Sequence, residues 1–152
     1  GVNGSNTGSK PFNEQSLLLP ETHYAKSKLN AEQNLKLYAN QIELVIIRPP
    51  MIIGPDAKGN FNRLVKAIVQ RWPLPLGNIK NKRQYVGVRN LSMFIKTCLE
   101  SGSAANKTFL IANEEVLSTT QLVKDMARCL NVKVFILPIP SRILYLILRL
   151  LS

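Results

Sequence analysis

Glu43-Leu44-Val45-Ile46-Ile47-Arg48-Pro49-Pro50 is the stretch of the sequence that decides the fold. Its four consecutive apolar residues do not alternate with polar ones, which is typical of a strand buried on both faces. The two prolines end the strand, because proline has no N–H to donate to a sheet. A strand of this kind predicts a parallel sheet with helices packed on it.

Helical and strand patterns alternate on both sides of this strand. Before it, apolar and functional residues recur at steps of three and four and predict a helix from Thr22 to about Asn40. After it, similar stripes predict helices over 61–69, 91–99 and 118–131, and short apolar runs predict strands over 84–88, 108–112 and 132–137. A further helix is expected after Pro140-Ser141. The alternation predicts an α/β fold with parallel pairing.

The third of these helices carries its own start signal, Ser118-Thr119-Thr120-Gln121. In such a capping box the Ser hydroxyl accepts from the amide of the Gln, and the Gln side chain reaches back to the amide of the Ser. The sequence therefore predicts two reciprocal hydrogen bonds at this helix start.

The composition fits one ordinary globular domain, with 152 residues and 45% hydrophobic content. Cys98 and Cys129 lie among apolar residues at helical spacing, so we expect two small buried side chains in a reducing cytoplasm rather than a disulfide. The single histidine, His23, and the two cysteines are not spaced as metal ligands. No metal site is predicted.

The formal charge of +11 raises the possibility of an acidic partner. The densest basic group is Lys80, Lys82 and Arg83, and a non-enzymatic module that binds through this group is one alternative function. Nucleic acid is not expected, because its binding proteins usually show a longer basic stripe or a recognised module. The apolar run at 143–151 is interrupted by Arg149 and is too short to span a membrane, which takes about 20 residues.

Gly1, Gly4 and Gly8 superficially resemble a phosphate-binding glycine loop. That motif works only between a strand and the start of a helix, where exposed amides hold the pyrophosphate. No helical pattern follows directly after these glycines, so we expect a flexible loop here.

Tyr24-Ala25-Lys26-Ser27-Lys28 carries the most promising chemistry. Residues four apart on a helix lie on the same face, so an ammonium would stand beside a phenol. The ammonium stabilises the phenolate, which can then act as a general base toward a hydroxyl group. A Tyr followed four residues later by a Lys is common by chance, so the surrounding sequence must show whether this pair is functional.

The context resembles the extended short-chain dehydrogenases/reductases, in particular the NAD-dependent epimerase/dehydratase family that includes UDP-glucose 4-epimerase. The resemblance covers nearly the whole chain and lies in the order and spacing of several short motifs. These are 2–4, 11–14, 24–28, 47–49 with 54–55, 60–61, 73–77, 83–86, 90–91 and 118–119.

The resemblance implies a fold and a division of the chain. The expected fold is the terminal portion of a doubly wound, Rossmann-type parallel sheet plus most of a smaller α/β substrate-binding domain. Residues 1–58 would form the last elements of the Rossmann-type domain, and residues 59–152 a substrate domain truncated at its end. NAD, or alternatively NADP, would be bound mainly by an amino-terminal half that is missing here, so this piece alone is expected to be inactive.

The resemblance also assigns roles to individual residues. Tyr24 and Lys28 would be the catalytic pair. Both would also contact the cofactor, and Lys28 would form a hydrogen bond with the nicotinamide ribose. Pro50 would lie along the nicotinamide. Asn60 and Arg83 would hold the nucleotide diphosphate, and Leu76 would flank the uracil. Two alternatives stay open: Asn60 could cap the helix that begins at Phe61, and Arg83 could be a surface charge.

The implied substrate is a UDP-hexose or UDP-N-acetylhexosamine used in surface polysaccharide synthesis, and the complete protein is expected to be a cytoplasmic homodimer. A nucleotide-sugar 4,6-dehydratase is the alternative enzyme. Met51 and Arg89 depart from the commoner family pattern, where asparagine and an acidic residue are frequent, and they leave the particular sugar open. The family's Ser or Thr that contacts the reacting hydroxyl would lie upstream of Gly1.

Overall fold

The computed structural model of the chain describes residues 1–8, 10–55, 57 and 59–140. In order, its elements are α1 (His23–Lys36), β1 (Ile46–Arg48), β2 (Met51–Ile53), α2 (Asn60–Val69), β3 (Arg83–Gly87), α3 (Val88–Glu100), a 3₁₀ turn (Gly102–Ala104), β4 (Thr108–Leu110), β5 (Val116–Leu117) and α4 (Thr119–Cys129). No helix within the described ranges is both long and apolar enough to cross a membrane.

The chain separates into two compact units that interleave along the sequence. The first contains Gly1–Pro50 and Val86–Ala112, and the second contains Met51–Tyr85 and the chain from Asn113 onward. A contiguous functional division at residue 58 stays a prediction for the complete protein.

The first unit is built on a parallel pair of strands. Residues Ile46, Ile47 and Arg48 of β1 lie opposite Thr108, Phe109 and Leu110 of β4. Parallel strands need a crossover connection, and the chain between them includes α3, whose Phe94 packs edge-on against Phe109 with ring centroids 5.4 Å apart. The prediction of an α/β fold with parallel pairing is confirmed.

Glu14 supplies a hydrogen-bond acceptor for β4. Its carboxylate accepts from the backbone N–H of Leu110 at 3.1 Å. This bond, followed by one from its own backbone amide, holds the pKa of Glu14 below its usual value. The loop before α1 is thereby joined to the sheet of the first unit.

A largely buried ion pair joins α1 to β1. The Arg48 guanidinium donates from Nη2 to Glu32 Oε2 at 2.6 Å and from Nε to both Glu32 oxygens at 3.1 and 3.2 Å. Only 9% of the Arg48 side chain and 14% of the Glu32 side chain are exposed. A charged residue that ends an otherwise apolar strand therefore finds its counter-charge on the neighbouring helix, which satisfies both groups away from water.

The second unit has a three-stranded sheet in the order β2-β3-β5 and a core between this sheet and its two helices. In the antiparallel pair β3 and β5, Arg83 lies opposite Leu117 and Gln84 opposite Val116. The buried core residues are Ile68, Leu74, Tyr85, Leu122, Val123, Met126 and Ala127. The stripes on α2 and α4 that predicted helices thus supply the inward faces of those helices.

Three local predictions are wrong. Residues 132–137 form no strand, only a single parallel bridge between Leu74 and Ile136, because Pro73 and Pro75 on the opposite segment have no N–H to extend a ladder. The Gln121 side chain donates to Asp125 rather than back to Ser118, so only half of the capping box forms. Both cysteines were expected to be buried, but Cys129 is exposed and Cys98 is half-buried; both are free thiols.

Other boundaries moved by a few residues. Helix α1 ends at Lys36 rather than near Asn40, and tight backbone turns follow it up to Ile42. Strands β2 and β5 were not predicted, because runs of three and two residues are too short to show periodicity. The helix expected after Pro140-Ser141 lies outside the described residues.

Removing the negative charge of the buried pair should destabilise the protein. Glu32→Gln leaves the guanidinium of Arg48 buried without its counter-charge, and we expect a loss of about 3 kcal/mol in the free energy of unfolding. Urea denaturation measures it. The matched control is Glu100→Gln, which breaks an exposed pair with Lys96 and should cost well under 1 kcal/mol. Equal losses for the two variants would contradict the structural role of the pair.

Gly77 lies where a side chain cannot fit. A Cβ added there would sit 2.8 Å from Pro138 Cα and 2.9 Å from Leu137 O, both backbone atoms. We expect Gly77→Ala to destabilise the protein by about 2 kcal/mol through the backbone shift it forces. Gly102→Ala is the control, because no atom lies within 4 Å of its added Cβ. Thermal unfolding should separate the two variants, and indistinguishable midpoints would refute the close approach.

Candidate active site

The start of α1 places Tyr24 in the first turn of the helix. The Thr22 side chain caps the helix by accepting from the Ala25 N–H at 3.1 Å, and the Thr22 carbonyl accepts from Lys26 N. Ala25 is 3% exposed and faces the interior, whereas Tyr24 is 72% exposed. The helix therefore presents the phenol on its open side.

Lys28 lies on the same side of the helix as Tyr24. Its Nζ atom stands 5.5 Å from the centroid of the Tyr24 ring, a distance at which an ammonium is attracted to the ring. Both side chains are exposed, so both are open to a ligand. The structure thus brings together the two residues that the sequence predicted as the catalytic pair.

The ammonium of Lys28 is available for a second contact. Within the parts of the chain that the structure describes, no carboxylate lies within ion-pair distance of it. Glu32, one turn further along the helix, is already paired with Arg48. The N–H groups of Lys28 can therefore donate to a ligand at this face of α1.

Pro50, predicted to lie along the cofactor, belongs to the same unit as Tyr24 and Lys28. It is half-buried and follows β1 by two residues. A residue that directly follows a parallel strand lies at the carboxyl edge of the sheet, the usual side for ligands in doubly wound folds.

The three predicted substrate residues belong to the second unit. Asn60 is the first residue of α2 and is exposed; the N-cap is Gly59, at φ 80°, which makes no side-chain cap hydrogen bond. The alternative role of Asn60 as a cap is therefore wrong. Leu76 is half-buried against the core of this unit. Arg83 begins β3, is exposed, and has no ion-pair partner among the described residues.

Two contacts between residues distant in sequence were not predicted, that of Arg48 with Glu32 and that of Asn81 with Thr119. Glu32 carried a usable signal, because a buried strand that ends in Arg48 requires a counter-charge nearby. Asn81 bonds to Thr119 across 38 positions, and no local pattern reveals such a contact. The capping signal at Ser118 located the start of α4 but did not reveal that Asn81 contacts Thr119 there.

Two open depressions lie away from the predicted site residues. One, of about 470 Å³, is lined by Arg71, Ala127, Arg128, Asn131, Val132 and Lys133. The other, of about 290 Å³, is lined by loop residues between Asn3 and Glu21. Since neither includes Tyr24, Lys28 or Arg83, the chemistry of the exposed side chains identifies the candidate site better than the cavities do. Among the described residues, no group of three or more His, Cys, Asp or Glu could hold a metal ion.

Comparison with known protein families gives one match that covers most of the chain. Residues 2–112 match the model of the NAD dependent epimerase/dehydratase family. The matched range contains Tyr24, Lys28, Pro50, Asn60, Leu76 and Arg83.

Curated proteins of this kind are similar to the chain in sequence. A UDP-glucose 4-epimerase of Vibrio cholerae is 38% identical over 143 residues, which is 91% of this chain and 44% of the relative. An N-acetyl-alpha-D-glucosaminyl-diphospho-ditrans,octacis-undecaprenol 4-epimerase of Escherichia coli O157:H7 is 32% identical over 119 residues, or 76% of this chain and 36% of the relative. The chain spans less than half the length of these relatives.

Solved structures show the same fold at lower identity. UDP-glucuronic acid 4-epimerase from Bacillus cereus, in complex with NAD, superposes with a TM-score of 0.76 at 21% identity, over 90% of this chain and 46% of that one. UDP-glucose 4-epimerase from Thermus thermophilus, also with NAD, has a TM-score of 0.74 at 18% identity, over 91% and 48%. With a family match over residues 2–112 and a relative at 38% identity, the chain belongs to the NAD dependent epimerase/dehydratase family.

Proposed function

We propose that this chain works within a longer NAD-dependent 4-epimerase that acts on a UDP-hexose or UDP-N-acetylhexosamine. The observation that carries the proposal is the pairing of Tyr24 and Lys28 on the open face of α1, with 5.5 Å between the ammonium and the ring centroid. The similarity to a UDP-glucose 4-epimerase over 91% of the chain supports the choice of substrate class.

Tyr24 is the proposed general base. Its phenolate oxygen takes the proton of the sugar hydroxyl while the hydrogen on the same carbon leaves as hydride, which converts the alcohol to a ketone. NAD, held by Lys28 and Pro50 together with contacts from outside these residues, would supply the hydride acceptor and, in the reverse direction, the hydride donor to either face of the ketone. Tyr24 then gives its proton back to the alkoxide oxygen. If the hydride returns to the opposite face, the configuration at that carbon is inverted.

Lys28 is the proposed partner of Tyr24 and of the cofactor. Its ammonium lies over the ring of Tyr24, with Nζ 5.5 Å from the ring centroid. Because no described carboxylate neutralises it, its remaining N–H groups are free to donate to the nicotinamide ribose. These properties fit a cofactor at this face of α1, with Pro50 beside the nicotinamide, and we propose that the remaining cofactor contacts come from outside these 152 residues. NADP is the alternative cofactor.

The second unit is proposed to hold the nucleotide diphosphate. The exposed guanidinium of Arg83, which has no ion-pair partner in the described part of the chain, suits this role, because its planar fork meets phosphate oxygens in a bidentate manner. Asn60, exposed and without a capping task, offers a further donor to the diphosphate. Leu76 gives an apolar contact for the base.

A second candidate substrate is a sugar on a polyprenyl diphosphate. It is favoured by the similarity to the undecaprenol-linked 4-epimerase, at 32% identity over 76% of this chain. Arg83 and Asn60 would serve the diphosphate of either substrate, whereas Leu76 would contact a base only in a UDP-sugar. A nucleotide-sugar 4,6-dehydratase is the alternative reaction, and assays for the epimer and for a 4-keto-6-deoxy product distinguish the two.

Tyr24→Phe should abolish most of the turnover of UDP-glucose or UDP-N-acetylglucosamine by the complete protein. Loss of a general acid–base group lowers kcat by about 10²–10⁴-fold, and coupled assays of the epimer measure it. Tyr38→Phe is the matched control, because Tyr38 is also exposed, at 54%, and follows the same helix. It should retain wild-type kcat.

Lys28→Met should lower both kcat and the affinity for NAD, and Lys26→Met, on a neighbouring exposed position, should lower neither.

Wild-type turnover by Tyr24→Phe would refute the proposed mechanism. Turnover of the polyprenyl-linked sugar with none of any UDP-sugar would select the second substrate.

A further inference from the structure

The segment of residues 76–83, called the nucleotide loop below, is held by side chains at the start of α4. The Asn81 carboxamide makes two hydrogen bonds to Thr119: Nδ2 donates to Oγ1 at 2.9 Å, and Oδ1 accepts from the backbone N–H at 2.8 Å. One side chain of the loop thus meets both the hydroxyl and the amide of the first residue of the helix.

Thr120 adds a second link between the helix and the loop. Its hydroxyl lies within donating distance of two loop carbonyls, those of Leu76 and Ile79. A hydroxyl has a single proton, so it is shared between the two oxygens or serves one at a time. Either way, Thr120 ties the helix to the residue proposed to contact the base.

The opposite side of the loop is held by the backbone of residues 137–138. Gly77 N donates to Leu137 O at 2.9 Å, and Asn78 Nδ2 donates to Pro138 O at 3.1 Å. The absent side chain of Gly77 permits this approach. The loop is therefore fixed on two sides before any ligand arrives.

We propose that Asn81 and Thr120 are positioning residues that set the affinity for the UDP half of the substrate. This inference rests on the proposed function, in which Leu76 and Arg83, at the two ends of the loop, contact the nucleotide. A loop that is already ordered loses less conformational entropy when it binds a ligand. Loosening it should weaken binding in the ground state and the transition state alike, which raises KM and leaves kcat unchanged.

The test compares variants that cut the links with variants that keep them. In the complete protein, Asn81→Ala, which removes two hydrogen bonds, and Thr120→Val, which removes the shared hydroxyl, should each raise KM for the UDP-sugar and Kd for UDP by about tenfold. kcat and the Kd for NAD should not change. Thr120→Ser should keep near wild-type affinity, because Ser retains the hydroxyl that donates to the loop carbonyls.

Ser118→Ala is the control for general damage to the helix start. Ser118 caps α4 through Gln121 N at 3.0 Å and makes no bond to the loop, so its loss should lower the unfolding midpoint without raising KM. The inference is overturned if Asn81→Ala and Thr120→Val bind UDP as wild type does, or if Ser118→Ala weakens binding equally. If either Asn81→Ala or Thr120→Val fails to fold, the other variant provides the same comparison.

Calorimetric titration with UDP keeps this inference separate from the proposed reaction. If the wild type binds UDP but turns over no UDP-sugar, the proposed reaction fails, and the variants still test the role of the loop through Kd. If the wild type binds no UDP, both the substrate assignment and this inference are overturned.

Discussion

The ion pair between Arg48 and Glu32 is the constraint on which the orientation of the candidate catalytic helix depends. An α-helix turns by roughly 100° per residue, so each step of four residues advances about 40° around the axis. The column Tyr24, Lys28, Glu32 therefore turns from the open side of α1 toward the side on which Ala25 is buried. With Glu32 fixed on β1, the phenol and the ammonium remain on the open side.

A buried ion pair is not by itself a strong source of stability, because desolvation offsets much of its attraction. Its contribution here is to the orientation of α1 relative to β1. A purely apolar contact between α1 and β1 would be less directional, whereas a guanidinium that donates from Nε and Nη2 to the two oxygens of one carboxylate favours a single arrangement. Such an arrangement suits a reaction in which a phenol must meet one hydroxyl of a sugar.

The two units address different requirements of the proposed reaction. The first presents the proposed proton-transfer pair on a helix that is anchored by an ion pair. The second presents a loop whose backbone is held by amide and hydroxyl groups at the start of α4. In this proposal the chemistry and the nucleotide affinity belong to different residues.

The sequence predicted those features that local periodicity encodes. The 3.6-residue repeat located α1 through α4 and placed Tyr24 and Lys28 on one face, and the apolar run before Pro49 located the parallel strand β1, of which only Ile46 is buried. It did not predict β2 and β5, which are too short to show a pattern, or the failure of 132–137 to pair as a strand, which depends on prolines in a distant segment. The contacts of Asn81 with Thr119 and of Arg48 with Glu32 arise only when distant segments meet. The roles proposed for Tyr24, Lys28, Pro50, Asn60, Leu76 and Arg83 stay predictions.

The most direct test is a structure of the complete protein with NAD and a substrate analogue that cannot be oxidised. The account predicts that Tyr24 Oη lies about 2.6–3.2 Å from the hydroxyl position that would react, with Lys28 Nζ in contact with the nicotinamide ribose. A complex in which Tyr24 faces solvent while another side chain contacts that hydroxyl would contradict it.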